Sequence, residues 1–113
     1  ITTGPDGALW YTESGDQVVT RATTAGAFQR FEAEPSTHDV LSCDYIAAGP
    51  DGNLWYAETP YFARDGYHIA RITPSGTITR FSVPQYADVI AAGPGGYLWY
   101  TEAQANKIGI LAP

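Results

Sequence analysis

Three glutamates recur at matched places in this chain, Glu13, Glu58 and Glu102, each closing a Leu-Trp-Tyr run two residues after the tyrosine. Carboxylates repeated in this way could ring one mouth of a channel, binding a divalent cation or acting as a general base. The same side chains could instead serve each unit structurally, accepting backbone N–H bonds or pairing with Arg21 and Arg71 within a sheet. A residue present in every unit usually serves the unit, so the structural reading is preferred. Ile110 stands in the third copy where the others have arginine, so that pairing is not expected throughout.

The other reactive side chains sit in two stretches. His38-Asp39 and Cys43-Asp44 fall in one, and His68 borders the other. By residue type His38 and His68 are the candidate bases, and a Cys/His nucleophilic pair or a two-histidine metal site is the chemistry such groups could do. The spacing gives this little support. There is no HExxH, no paired CxxC and no GxSxG, and solvated loop residues are the preferred account. Tyr61, Phe62, Arg64, Asp65 and Asp39 form a candidate ligand-binding set, an aromatic and charged contact for a ligand or partner. A loop that folds its aromatics back over the sheet competes with that reading on equal terms.

The elements that position these groups are written three times, from Ile1 to Glu13, Ile46 to Glu58 and Ile90 to Glu102, with the matching Gly4, Gly49 and Gly93 offset by 45 and then 44 residues. Short aromatic and β-branched runs punctuated by Gly and Pro at this period predict an all-β fold, a β-propeller of four-stranded antiparallel blades. Within each copy the Gly-Pro-Asp-Gly or Gly-Pro-Gly-Gly turn joins strand a to strand b, its last two residues tolerating positive φ. Strand c follows at Val19–Ala22, Ile69–Ile72 and Ile108–Leu111, and strand d at Ala27–Phe31 and Thr77–Phe81. Residues 1–45 form the first blade, 46–89 the second, and 90–113 a third without strand d, about 2.75 blades within one propeller unit. Strand b is apolar on both sides, so Trp10, Trp55 and Trp99 read as packing between blades rather than as sugar platforms.

A single unit of this size buries too little apolar surface to stand alone. The third blade would leave Lys107 to Leu111 as an open strand edge, which soluble proteins normally cover, so strand addition is expected there. Two copies would close a six-bladed ring and make the protein a homo-oligomer; a seven-bladed parent is the rival. Acidic residues outnumber basic ones 12 to 6, and Lys107 is the only lysine, which excludes the counterion release on which nucleic-acid binding depends and disfavours anionic membranes. No run approaches the roughly 20 apolar residues that span a bilayer, and no signal peptide is recognisable. A chain that begins at Ile1 without methionine is expected to be a processed or trimmed product, and an extracellular or periplasmic source is expected. Cys43 is alone and forms no intrachain disulfide.

Length variation falls on one face. Glu58 to Ile69 spans five residues more than Glu13 to Val19, and Phe31 to Ile46 spans six more than Phe81 to Ile90. Both insertions, Glu32 to Tyr45 and Thr59 to His68, lie at the end where b–c and d–a connections emerge, and variable loops on a repetitive scaffold are the usual place for binding or catalysis.

The run from Ile46 to Glu58, continued by Ile69 to Phe81 and echoed at Asn106 to Ile110, closely resembles the blades of the virginiamycin B lyase, or streptogramin lyase, propellers. That resemblance covers almost the whole chain except the two insertions. It implies a seven-bladed ring that linearises a cyclic depsipeptide by Mg²⁺-dependent elimination across an ester C–O bond, with histidine bases and a nearby acidic residue on one loop face. The glutamates here are followed by Ser14-Gly15, Thr59-Pro60 and Ala103-Gln104, with no histidine close behind, so no catalytic position is carried over. Two functions follow as expectations. The first is a binding or assembly module working through the loop face and the open edge; the alternative is a carbon–oxygen lyase using Mg²⁺ at the carboxylates.

Overall fold

The computed structural model describes residues 1–33, 40–60, 62 and 66–113. Among the described residues there is no α-helix, and the strands form three antiparallel sheets. The first sheet holds β1 (Thr2–Thr3), β2 (Leu9–Glu13), β3 (Val18–Ala22) and β4 (Phe28–Glu32) in spatial order. The second holds β5 (Val40–Ala48), β6 (Leu54–Pro60), β7 (Tyr67–Ile72) and β8 (Ile78–Val83). The third holds β9 (Ile90–Ala92), β10 (Leu98–Glu102) and β11 (Lys107–Leu111), with β11 at its edge. These are the up-and-down blades that the repeat predicts, and strand a of each lies on the inner side. The first strands converge, since β5 touches both β1 and β9.

Each a–b hairpin is set by its turn. In the first, Gly4 N donates to Ala8 O at 2.8 Å and Gly7 N to Gly4 O at 3.1 Å. Only the last turn residue of the first two copies takes positive φ, at Gly7 and Gly52, whereas both Gly95 and Gly96 do so in the third. The aspartate of the first two turns has another use. Asp6 Oδ1 accepts the Trp10 indole N–H at 3.0 Å and Asp51 Oδ1 that of Trp55 at 2.9 Å, while Arg21 Nε donates to Asp6 Oδ2 at 2.6 Å. Arg71 lies 3.7 Å from Asp51 Oδ2 and stacks over the Trp55 ring. With Gly95 and Ile110 in these places, the third copy leaves the buried Trp99 Nε1 without a partner among the described residues. The first glycine of the turn is fixed by packing. A Cβ on Gly49 would lie 2.3 Å from Trp55 Cδ1, so only glycine lets the indole lie against its own hairpin.

The core is two blade-to-blade interfaces. Leu54, Tyr56, Ala70 and Ile72 on one face of blade 2 pack against Ala8, Trp10, Val19 and Ala33 of blade 1. Trp55, Ala57, Ile69 and Val83 on the other face pack against Ile90, Leu98 and Tyr100 of blade 3. Strand alternation produces this division, because neighbouring residues of β6 point to opposite sides. Trp10 and Trp55 are fully buried, as expected of packing between blades, while Trp99 on the outward face of blade 3 is half-buried.

The insertions depart from the loop reading. Part of the first becomes strand, since β5 begins at Val40 rather than near Ile46, and β6 runs on to Pro60. The two extensions pair with each other, Val40 opposite Pro60, Ser42 opposite Thr59 and Cys43 opposite Glu58, with irregularities between Val40 and Ser42 and between Asp44 and Ala47. The physical reason is that the two insertions flank one a–b hairpin, so chain added at both of its open ends lies side by side and satisfies its backbone groups by continuing the ladder.

Candidate functional site

One end of the blades collects the short 3-10 turns Ser14–Asp16 and Ala103–Ala105, the paired extensions of β5 and β6, and the connection from β8 to β9. Asp44 is its hub. Its Oδ1 accepts from Ser14 Oγ at 2.8 Å, and its Oδ2 from Ser42 Oγ at 2.6 Å and Thr59 Oγ1 at 3.3 Å. Ser14 Oγ also reaches the Cys43 carbonyl at 3.0 Å, tying the b–c turn of blade 1 to the extension of blade 2. Asp88 sits two residues before Ile90 as Asp44 does before Ile46, and its Oδ2 accepts from Ala103 N at 2.8 Å. That recurrence, readable in Cys43-Asp44-Tyr45-Ile46 beside Ala87-Asp88-Val89-Ile90, is the signal that could have singled out Asp44 as structural.

Each glutamate is engaged within its own blade. Glu13 accepts from Thr20 Oγ1 and, at 2.9 Å, from Arg30 Nη2, which also bonds Asp16. Glu58 is 2% exposed and accepts from Arg80 Nε at 2.7 Å. The arginines therefore come from strand d, not from Arg21 and Arg71 of strand c. Burial pushes the Glu58 carboxyl up to about 7, outweighing the opposing effect of the adjacent Tyr56 hydroxyl. Glu102 is buried, and burial together with its carboxylate raises the Tyr100 hydroxyl.

Cys43, Glu58, His68 and Ser82 form one cross-strand row through blade 2. His68 is thus a half-buried strand residue, with β6 between it and Cys43, so the two do not meet as a nucleophile and base. The Cys43 thiol is fully buried and pushed up to about 12 by burial and by the nearby Glu58 and Asp44 carboxylates. Among the described residues no three His, Cys, Asp or Glu side chains converge to hold a metal ion. Phe62 is exposed, while His38, Asp39, Tyr61, Arg64 and Asp65 lie outside the described residues.

A cavity of about 230 Å³ opens on this face at the junction of blades 2 and 3. Thr59 and Pro60 at the end of β6, Tyr67 at the start of β7, Tyr86 and Gln104 line it, and Tyr67 meets Tyr86 edge-on with ring centroids 6.4 Å apart. Only the placement of β6 against the β8–β9 connection brings Tyr86 there, a long-range relation with no local sequence signal.

The virginiamycin B lyase family matches residues 1–113. No curated protein matches the chain. Among solved structures, selenomethionine-substituted virginiamycin B lyase from Staphylococcus aureus is 39% identical with a TM-score of 0.85, covering all of this chain and 37% of that one. A catalytically inactive variant of that lyase with quinupristin is 38% identical over 99% of this chain and 36% of that one, with a TM-score of 0.82. A streptogramin B lyase structure is 27% identical with a TM-score of 0.75, covering all of this chain and 39% of that one. The chain therefore spans well under half the length of the proteins it resembles, and over its whole length it belongs to the virginiamycin B lyase family.

Proposed function

We propose that these blades form part of a streptogramin-type propeller whose loop face binds a cyclic depsipeptide, the cavity between blades 2 and 3 seating one of its apolar side chains. The observation that carries this reading is the Tyr67, Tyr86 and Pro60 wall with Thr59 and Gln104 at its polar side. A space of about 230 Å³ suits one ring-sized group rather than a whole ligand. Family membership and likeness to lyase structures, one of them with quinupristin, support a propeller of this type.

In the lyase form of this proposal the complete ring removes a proton from the carbon next to the one bearing the ester oxygen, so that a C=C bond forms as the C–O bond breaks and the carboxylate leaves. His68 alternates with Tyr67 along β7 and so points away from the cavity wall, which leaves His38 as the better of the two candidate bases. The described residues do not assemble a ligand set for Mg²⁺: Glu13 and Glu58 are each engaged by an arginine. A second reading, recognition without turnover, rests on the exposed apolar edge of β11, beyond which further blades or a second copy would complete the ring.

Incubating the complete protein with quinupristin, with Mg²⁺ or with a chelator, separates the two. The lyase reading expects a linear product of unchanged mass, because elimination takes no atoms from water. Saturable binding with the ring intact would support the binding module, and neither binding nor opening would overturn both.

A further inference from the structure

We propose that Tyr45 is a ligand-contact residue, presented toward the middle of the ring by an irregularity built into β5; this rests on the depsipeptide-binding reading above. Among the described residues Tyr45 is one of three non-glycine residues with positive φ, at 50°, and it is 54% exposed. The left-handed conformation is unfavourable for a bulky aromatic residue, and persists only where its surroundings over-determine it. It falls between Asp44 and Ala47, where the β5–β6 register shifts, and such bulges re-aim a side chain out of the ladder. Because β5 touches β1 and β9, it lies on the side where the blades converge.

Blade 3 shows that the fold itself does not require this conformation. Val89 precedes Ile90 as Tyr45 precedes Ile46, yet it has no positive φ. There Asp88 N donates to Thr101 O at 2.9 Å and Thr101 N to Val89 O at 3.0 Å, so two residues just before β9 oppose one of β10 without either taking the left-handed conformation. In blade 2 the irregularity is held from both sides. Asp44 is fixed by hydroxyls from Ser14, Ser42 and Thr59, three separate segments, and Ile46 is buried in the interface with blade 1. An exposed aromatic ring whose backbone is pinned before and after it loses little freedom on binding. Its ring suits an apolar face of a cyclic peptide, and its hydroxyl suits a peptide carbonyl.

The test uses the complete protein with quinupristin as the probe, measuring Kd by calorimetry and Tm by thermal unfolding for wild type, Tyr45→Ala, Tyr45→Phe and Tyr45→Gly. A contact residue predicts a Kd raised about tenfold in Tyr45→Ala and changed less than about threefold in Tyr45→Phe. Tyr45→Gly separates contact from structure: it should weaken binding as alanine does while raising Tm by roughly 2 to 4 °C through relief of the backbone. Wild-type affinity in Tyr45→Ala, or a lowered Tm with unchanged Kd in Tyr45→Gly, overturns the assignment alone. Failure of the wild-type protein to bind quinupristin overturns the depsipeptide reading itself, and the role of Tyr45 with it.

Discussion

Arg80 Nε donates to Glu58 Oε2 at 2.7 Å, and Arg80 Nη2 donates to the Ala33 carbonyl at 3.0 Å. One guanidinium thus joins β6 to β8 and blade 2 to blade 1. Burial nevertheless disfavours the charged carboxylate and outweighs the opposing effect of the Tyr56 hydroxyl.

The first prediction concerns pH. Folded Glu58 keeps its proton up to about 7, whereas an unfolded glutamate releases it near 4.5, so between those values the native state binds more protons. Stability from this group is therefore complete below pH 4.5 and declines as pH rises to 7, by about 3 kcal/mol in all. Urea-unfolding midpoints measured across that window should fall less steeply in Glu58→Gln than in wild type. Parallel curves would show that burial does not control this carboxyl.

Asp51 behaves in the opposite sense. Burial works against its ionisation, but hydrogen bonds from Trp55 and Asn53 prevail and hold it below the usual carboxylate range. Its contribution is present at neutral pH and is lost as pH falls through that lowered value. Asp51→Ala leaves the Trp55 N–H unpaired as Trp99 already is, and should cost about 1 to 3 kcal/mol at pH 7, read by chemical denaturation.

Gly49→Ala should destabilise by roughly 1 to 3 kcal/mol, because its Cβ would lie 2.3 Å from Trp55 Cδ1 in a packed interface. Gly15→Ala, where nothing lies within 4 Å of the added atom, is the control and should change little. A shift in tryptophan fluorescence should accompany the first substitution and not the second.

The Cys43 thiol should resist iodoacetamide in the native protein and react once the protein is unfolded, since it is buried and its proton is held to about pH 12. Rapid native labelling would contradict its place in the interface. Ala87 fills the matching position before Ile90 and is also buried, so Cys43→Ala should fold normally, with Tm lowered by only a few degrees.

The blades were legible because their signals are local: turn glycines, Leu-Trp-Tyr runs and alternation within five residues of one another. The glutamate partners were misassigned although the same alternation held the answer. Leu9, Tyr11 and Glu13 share one face of β2, whereas Arg21 lies opposite Trp10 and so belongs to the other. Arg30 and Arg80, each followed by phenylalanine in strand d, lie on the glutamate side. The concurrence of Asp6 with Arg21 and Asp51 with Arg71, and the loss of both members at Gly95 and Ile110, likewise marks the aspartate–tryptophan–arginine groups. Pairing between the two insertions and the approach of Tyr86 to Tyr67 had no such signal, since each joins segments through tertiary placement rather than through a turn.

The mutual pairing of the β5 and β6 extensions makes a small raised tab whose two sides are interdependent. Shortening Ser42 to Asp44 would deprive Ala57 to Thr59 of backbone partners, and the reverse trim would do the same to the other side. Viable remodelling of this rim therefore comes as matched gains or losses on both sides of one hairpin, and a designer wishing to reshape it must edit two distant stretches of sequence at once.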